Sequence, residues 1–405
     1  MDDIEVRELQ ATEFDAAIRL NEVVFHTSAV AGDERANEHR ALERMDRIGA
    51  FAGGSELVGF VAARDLSLTA PGGEVRCAGV TWVGVLPTHR RRGVLRRLMG
   101  ELLDRAAADG RPVAALWAAE GGIYGRYGFG VATRNVSLAV DGRRPLATRV
   151  APSEAPLRLL DGVAALPAIR ALHDELRPLR GGRPARADHW WEERTLHRES
   201  DDPNGTLRTV VLGAPGAEEG YATYQAGRAP YPSARIRLVL RELEARTPAA
   251  EAALWRYLTS IDLSDGVDAE LRPEDDRLLT LADDPDAVVA TGPASALWVR
   301  VLDVPALLSA RAWATAVDCV LEVADADRPA NAGRWRVRPG SCVRTDDPAD
   351  LALDVRELAS IWLGAPGALR RLHDAGLVEE RTPGAVAALQ AALDVPRAPF
   401  APEHW

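Results

Sequence analysis

The sequence predicts an α+β chain of three domains, and three observations carry this. At 405 residues with 47% apolar content, the chain can bury a large core and exceeds the usual span of one domain. Short β-branched or apolar runs bounded by turns alternate along it with segments whose apolar residues recur at helical spacing. A turn-rich passage, Gly142-Arg143-Arg144-Pro145 and Ala151-Pro152, breaks that pattern once, and a new segment opens near Ser295. The divisions are 1–150, 151–293 and 294–405.

In the first division, Ile4, Val6 and Leu9 alternate as a strand, and Thr12 to Val24 has helix spacing with Thr12 as a potential N-cap. Phe25 to Asp46 is polar, with Asp33, Glu34, Glu38 and Glu43 reading as a solvated helix face. Gly49 to Arg64 and Glu74 to Gly84 read as antiparallel strands with turns at Gly53-Gly54 and Pro71-Gly72-Gly73. Val80 to Leu86 is apolar and closed by Pro87. Arg90, Arg91, Arg92 and Gly93 then precede a helix written by Val94, Leu95, Leu98, Met99, Leu102, Leu103 and Ala106, which stops near Asp109-Gly110. Val113 to Trp117 is a further strand, and Glu120-Gly121-Gly122 breaks the chain before Tyr124.

Strand, arginine-rich turn, helix start and strand together form a device for holding a pyrophosphate. A helix start leaves backbone N–H groups without partners and carries partial positive charge, and arginines at its mouth add charge-assisted bonds. The strings PTHRRRGVLRRLM and EGGIYGRYGFG resemble the enhanced intracellular survival (Eis) branch of the GCN5-related N-acetyltransferases (GNAT). The general superfamily pattern, Arg/Gln-x-x-Gly-x-Gly/Ala, is met at Arg90 and Gly93 but ends on Leu95, and a bulky residue after the glycine is usual in the Eis branch.

The resemblance implies an N-terminal GNAT domain binding acetyl-CoA. Backbone groups of Val83, Gly84 and Val85 would meet pantetheine where the strand Thr81 to Leu86 splays from Val113 to Trp117. Arg90, Arg91, Arg92, Gly93, Val94 and Leu95 would hold the pyrophosphate. It implies that Tyr124 is the general acid and that the C-terminal carboxylate of Trp405 is the general base. Where some relatives carry an acid shortly after the Phe, this chain has His26 and Thr27.

From Leu157 the order of elements repeats: strand, helix (Ala168 to Leu176), basic loop, helix, strands near Leu207 to Leu212, Gly220 to Gln225 and Ile236 to Leu240, and a helix at Pro248 to Leu258. No Arg-x-x-Gly turn precedes that helix; Arg241-Glu242-Leu243-Glu244 takes its place. The resemblance makes 151–293 a degenerate GNAT-like domain without cofactor. Its His189-Trp190-Trp191 reads as packing rather than a ligand wall.

The last segment offers a strand at Leu297 to Val301, a helix from Val304 with Pro305 in its first turn, strands at Cys319 to Val323, Trp335 to Arg338 and Ser341 to Arg344, and helices at Leu351 to Leu363, Pro366 to Ala375 and Val386 to Leu393. By resemblance it is a sterol-carrier-protein-like α+β domain whose tail, VPRAPFAPEHW, enters the active site.

The chemistry is compatible with these roles. An α-carboxyl has a reference pKa of about 3.3 to 3.7 and is ionised at neutral pH, and burial raises its basicity. Glu403 or a water chain can do the same work. A phenol of pKa about 10 can protonate a departing thiolate, and a backbone N–H of Val83 to Val85 can polarise the thioester carbonyl. Tyr127 is the nearby rival for the acid role.

The formal charge of −11 and pI near 5.4 argue against nucleic acid or an anionic membrane as the main partner and suit a cationic acceptor. Cys77, Cys319 and Cys342 lie far apart and form no CxxC pair, and the eight histidines include no HExxH. Neither a metal nor a disulfide framework is expected, and reduced buried thiols place the chain in the cytoplasm. The N-terminus lacks an apolar leader, and nowhere do about 18 uncharged apolar residues run together. The expected function is acetyl transfer from acetyl-CoA to a primary amine, aminoglycoside-like or a lysine side chain, in a homo-oligomer that the resemblance makes a hexamer. Two other readings are a silent GNAT-fold binding or assembly protein, and a lipid carrier acting through the third domain.

Overall fold

The structure, a computed structural model, describes residues 4–29, 31–160, 162–191, 207–227 and 235–405. It forms two units: Met1–Thr133 with Ala296–Val395 and Glu403–Trp405, and Arg134–Ser295 with Pro396–Pro402.

The first unit begins with β1 (Ile4–Glu8), α1 (Phe14–Phe25), α2 (Gly32–Glu43), β2 (Asp46–Ala52), β3 (Glu56–Ala70) and β4 (Gly73–Val85). It continues with α3 (Val94–Ala108), β5 (Val113–Trp117), α4 (Gly121–Tyr124) and β6 (Gly130–Val131). Strands β1 to β4 pair antiparallel in sequence, and β4 pairs parallel with β5. The apolar stripe of α3, Val94, Leu98, Met99, Leu102 and Ala106, packs with Ile48, Val58, Val61 and Val80 on one side of the sheet. Phe14, Ile18, Leu20 and Leu42 of α1 and α2 pack with Phe51, Phe60 and Ala62 on the other. With both faces covered, the middle of β3 is continuously buried from Leu57 to Ala63, which is why it reads as an unbroken apolar run rather than an alternating one.

The second unit holds β7 (Arg134–Asp141), β8 (Leu157–Leu160), α5 (Gly162–Leu176), α6 (Asp188–Trp191), β9 (Arg208–Leu212) and β10 (Gly220–Ala226). After these come β11 (Ile236–Ala245), α7 (Pro248–Thr259), β12 (Ser264–Pro273), α8 (Leu278–Leu281) and β13 (Val288–Ser295). The sheet order is β13-β7-β12-β11-β10-β9-β8, with β11 and β12 parallel. Leu254, Trp255 and Leu258 of α7 fill its core against Val140, Val210, Leu240 and Val267. Trp191 is buried with Ile169, Leu172 and Tyr221, Trp190 packs against that cluster, and Arg186 stacks 4.3 and 4.8 Å from the two indole centroids. The tryptophan pair is therefore packing.

The first unit resumes with β14 (Leu297–Val301), α9 (Val304–Ala310), β15 (Cys319–Ala324), β16 (Gly333–Arg338), β17 (Ser341–Arg344) and β18 (Leu351–Asp354). It closes with α10 (Val355–Ile361), α11 (Ala368–Asp374), β19 (Val378–Glu380) and α12 (Ala385–Leu393). Strands β15 to β19 form a sheet ordered β17-β16-β15-β18-β19. No helix among the described residues is long and apolar enough to cross a membrane.

Two expected boundaries move. Strand β7, expected inside 1–150, pairs with β12 and β13 in the second unit, so the first division ends at Thr133 and the turn-rich passage falls between β7 and β8. Strand β14, expected to open the third domain, lies between β5 and β6 in the first sheet. The chain leaves and re-enters the first unit at adjacent points: Ala132 N–H donates to Leu297 O (2.9 Å) and Ala296 N–H to Thr133 O (3.0 Å). Local turn chemistry cannot report a partner that lies more than about 120 residues away.

Placing β14 in the first sheet puts a charge in the interior. Arg300 is wholly buried, and its Nη1 and Nη2 grip both oxygens of buried Asp325 at 2.8 and 2.7 Å. Asn331 Nδ2 completes the knot with bonds to Asp325 and to Val301 O, both 3.0 Å. Removing one partner of such a pair leaves the other desolvated and uncompensated, at a cost of about 3 to 5 kcal/mol. Asp325→Ala is expected to lower the urea-unfolding free energy by that amount; a loss under about 1 kcal/mol would mean that water reaches Arg300.

Candidate active site

The first unit's sheet is incomplete where β4 meets β5. The parallel ladder holds only Cys77 with Val113, Ala78 with Ala114 and Gly79 with Ala115. Beyond Gly79, β4 remains paired with β3 alone, and there it carries a bulge: Phe60 faces Gly84 and Ala62 faces Thr81, so Trp82 and Val83 share Val61. Trp82 has φ +55°, unusual for a bulky residue, and such a bulge bends a strand away from its neighbour.

The bulge leaves backbone groups on the open edge. Leu86 N–H donates to Val58 O at 2.9 Å on the β3 side, so by strand alternation the N–H groups of Val83 and Val85 face the gap while Gly84 belongs to the ladder. A Cβ on Gly84 would lie 3.0 Å from Leu20, so that glycine admits α1 rather than a ligand. The Arg90 Nε donates to Val85 O across 3.4 Å at the far end.

At the near end stands Trp405. Thr81 Oγ1 donates to the backbone oxygen of Trp405 at 2.9 Å, and the Trp405 indole N–H donates to Val80 O at 3.2 Å. The His404 ring stacks on Trp117 of β5 at 3.9 Å and 22°. A Cβ on Gly79 would approach the Trp405 indole nitrogen to 3.0 Å, so this close docking depends on that glycine. Glu403 is buried.

After β4, Pro87–His89 form a 3-10 turn and Arg90, Arg91 and Arg92 are exposed. Arg91 has φ +63° and Gly93, the N-cap of α3, φ +77°. No side chain caps the helix, and a Cβ on Gly93 would meet no atom within 4 Å, so its N-terminal N–H groups face open space. Val94 is buried beneath the sheet, and Leu95 packs at its margin. Gly59 makes that possible, since a Cβ there would lie 2.9 Å from Val94 and 3.0 Å from Leu98. The set fits a diphosphate: an uncapped fifteen-residue helix, left-handed turn residues and exposed guanidiniums.

Tyr124 closes α4 with its ring buried edge-on to Phe129, centroids 5.9 Å apart. Burial, then the charge of Glu120 and the neighbouring Tyr127, push its phenol up to about 12. Burial also raises Tyr127, against Arg126 and Arg96. Burial likewise lifts the thiols: Cys319 and Cys342 each to about 12, and Cys77 higher still. All three are free and buried, so none is a thiolate at neutral pH. On the other side of β4, His26 is the left-handed C-cap of α1, Thr27 and Phe25 are exposed, and Asp33 and Glu34 lie on the solvated face of α2.

The acetyltransferase (GNAT) domain family matches residues 5–132, a second acetyltransferase (GNAT) domain family matches 182–301, and the sterol carrier protein domain family matches 304–402. An uncharacterized N-acetyltransferase of Streptomyces avermitilis is 39% identical over 390 residues, 93% of this chain and 95% of its own. The N-acetyltransferase Eis of Mycobacterium tuberculosis is 37% identical over 348 residues, 82% of this chain and 83% of its own. The chain belongs to the Eis family of GNAT N-acetyltransferases. The crystal structure of Eis1 from Mycobacterium abscessus superposes with a TM-score of 0.87 at 31% identity, covering 99% of this chain and all of that one. As an Eis-type enzyme it is an N-acetyltransferase, built as expected from a GNAT domain, a GNAT-like domain and a sterol-carrier-protein-like domain.

Sequence reasoning missed three parts of this site: Thr81, the Trp82 bulge and the His404–Trp117 stack. Thr81 is one threonine in a strand, and only its partner at the chain end distinguishes it.

The cause of the Tyr124 shift gives a direct expectation. A raised folded-state pKa means that the neutral phenol adds stability below pH 10, and this is lost as pH rises toward 12. The wild-type minus Tyr124→Phe difference spectrum of the protein without cofactor should show no tyrosinate absorption below about pH 11. A transition near pH 10 would mean a solvated phenol.

Proposed function

We propose that this Eis-family enzyme transfers acetyl directly from acetyl-CoA to a primary amine, with Trp405's carboxylate as proton acceptor and Tyr124 as proton donor. The observation that carries the reading is the terminal carboxylate, fastened to Thr81 where the unpaired N–H groups of Val83 and Val85 begin. Acetyl-CoA supplies the activated thioester. The uncapped start of α3, from Gly93 through Val94 and Leu95, with Arg90, Arg91 and Arg92, binds its diphosphate, and the β4 edge aligns its pantetheine as an added strand would be aligned. A gap-facing N–H of Val83 or Val85 stabilises the charge that develops on the carbonyl oxygen.

Proton traffic follows from the groups present. The amine nitrogen becomes strongly acidic as its bond to the carbonyl carbon forms, so a carboxylate of low intrinsic pKa can accept the proton at that stage. Thr81's hydroxyl orients that carboxylate. Tyr124 stays protonated at neutral pH and can give its proton to the departing sulfur. A thiol has a reference pKa of about 8.5 against about 12 for this phenol, yet burial raises a thiolate as it raises the three cysteines here. Burial thus narrows the gap between the phenol and the departing sulfur. The neutral, buried state of Cys77, Cys319 and Cys342 also favours direct transfer over a cysteine-bound acetyl group.

The acceptor is a cationic amine, aminoglycoside-like or a lysine side chain, in keeping with the net charge of −11. His26 and Thr27, exposed at the end of α1, put no carboxylate at that position. A moderately charged amine is favoured over a polycation.

Amine-dependent release of free coenzyme A, measured across aminoglycosides, polyamines and lysine peptides, should fall about 10²- to 10⁴-fold in Tyr124→Phe with cofactor affinity retained. Removing Glu403–Trp405 should abolish turnover likewise. Release that survives both changes would remove the assigned acid and base together.

A primary amine of pKa about 10.4 is almost wholly protonated at pH 7, so kcat/KM should rise about tenfold per pH unit toward the acceptor's pKa. No descending limb from Tyr124 is expected below about pH 11, given its displacement upward. Thr81→Val should lower kcat about tenfold, the worth of one hydrogen bond to a charged group, and leave KM for acetyl-CoA unchanged. A rise in that KM alone would make Thr81 a cofactor contact.

A further inference from the structure

The second unit carries a polar cleft that the transfer chemistry does not use. Strands β11 and β12 run parallel only from Ile236 to Leu240, facing Ser264 to Ala269, and then separate as β4 and β5 do in the first unit. Here the gap is bridged by arginines. Arg272 donates to Leu243 O at 3.2 Å and Arg277 to Ala245 O at 3.0 Å, satisfying carbonyls that a complete ladder would have paired. The start of α7 is closed by its own Thr247, whose hydroxyl accepts from Ala250 N–H at 3.1 Å. That helix start therefore carries a side-chain cap, which the start of α3 lacks.

The cleft is lined on one side by the chain's tail, through Arg397 and Phe400. Ala398 N–H donates to Asp275 at 2.9 Å, Arg180 donates to Ala398 O at 2.8 Å, Phe400 N–H donates to Gly181 O at 2.9 Å, and Asn135 donates to Ala401 O at 3.2 Å. Residues 398–401 are therefore fastened by backbone bonds, and Arg397 stands just before the first of them.

The charges of the cleft do not balance. Asp276 pairs with Arg272 at 2.6 Å, Glu251 with Arg277 at 2.6 Å, Asp275 with Arg180 at 2.5 Å and Glu244 with Arg183 at 2.5 Å. Arg397 is the remaining guanidinium on the lining, and it makes no hydrogen bond or ion pair among the described residues. It is half-buried, and its pKa is lowered first by burial and next by the like charges of Arg277 and Arg180, which outweigh the attraction of Asp275 and Glu244, acids already paired with Arg180 and Arg183. A half-buried cation held among like charges, with each nearby acid already paired, is costly unless an anion completes it.

We propose that this cleft binds a small phosphate-type oxyanion, with the Arg397 guanidinium as its main ligand and Arg180 and Arg277 at its flanks. A guanidinium presents paired donors that match two oxygens of a phosphate group, which a chloride ion cannot satisfy. Because Arg397 belongs to the tail, the bound anion fastens residues 396–402 to the second unit.

The test uses the full chain, titrated with inorganic phosphate or glycerol phosphate against sodium chloride of equal ionic strength. Hydrogen exchange is read over 396–402. At ten times the dissociation constant, exchange limited by release of this segment should slow about tenfold, following 1 + [L]/Kd. Arg397→Gln should lose the response while keeping the wild-type melting temperature in chloride, and Arg397→Lys should retain a weaker one. Arg91→Gln, which alters the helix start of the first unit, should leave it intact. A response to the ester alone identifies a phosphate monoester as the ligand, and a response to both shows that inorganic phosphate suffices. The proposal is overturned if phosphate acts no differently from chloride, if Arg397→Gln responds as the wild type does, or if Arg91→Gln removes the effect.

Discussion

The parallel ladder between β4 and β5 is only three residue pairs long, and the rest of the active site depends on its ending there. A full ladder would consume the N–H groups of Val83 and Val85 and leave no open edge there. The bulge at Trp82 and Val83 ends it by turning β4 away, at the cost of a positive φ on a bulky residue. Backbone polar groups left in such a gap need partners. Val80 finds one in the Trp405 indole and Val85 one in Arg90, so the opening is held at both ends by side chains from other parts of the chain.

The second unit meets the same constraint differently. Its β11–β12 ladder also stops early, yet the exposed carbonyls of Leu243 and Ala245 go to arginine side chains. One backbone geometry thus serves two ends. Where the gap is left open, the helix that follows is uncapped; where it is filled by guanidiniums, that helix is capped by its own threonine. The loss of the arginine turn before α7 and the gain of Thr247 are two aspects of one change.

How much of this was legible in the sequence follows the range of the interactions. The turn Arg90 to Gly93, the α3 stripe and the glycines before Tyr124 are local, and their spacing fixes them without reference to the remainder of the chain. Strand β14 is legible as a strand, since its apolar run needs only itself, but its place between β5 and β6 is not. The same holds for β7. Thr81 and Trp405 lie 324 residues apart, and nothing near either one announces the other. Resemblance supplied the role proposed for Trp405, and the hydroxyl that contacts it was visible only in three dimensions.

Holding a chain end in place demands anchorage well before the last residue, because an unanchored terminus frays. Arg311 provides the first hold. It is buried with no acid beside it, its pKa lowered to about 10, and it donates to Leu393 O at 2.5 Å and Trp362 O at 2.7 Å, which caps α12 where the tail begins. The backbone bonds of residues 398–401 provide the second, and Thr81 with Val80 the third. Prolines at 396, 399 and 402 lower the entropy lost in ordering the segment between these holds. The position of Trp405 is thus set by several weak bonds along the tail rather than by one rotamer.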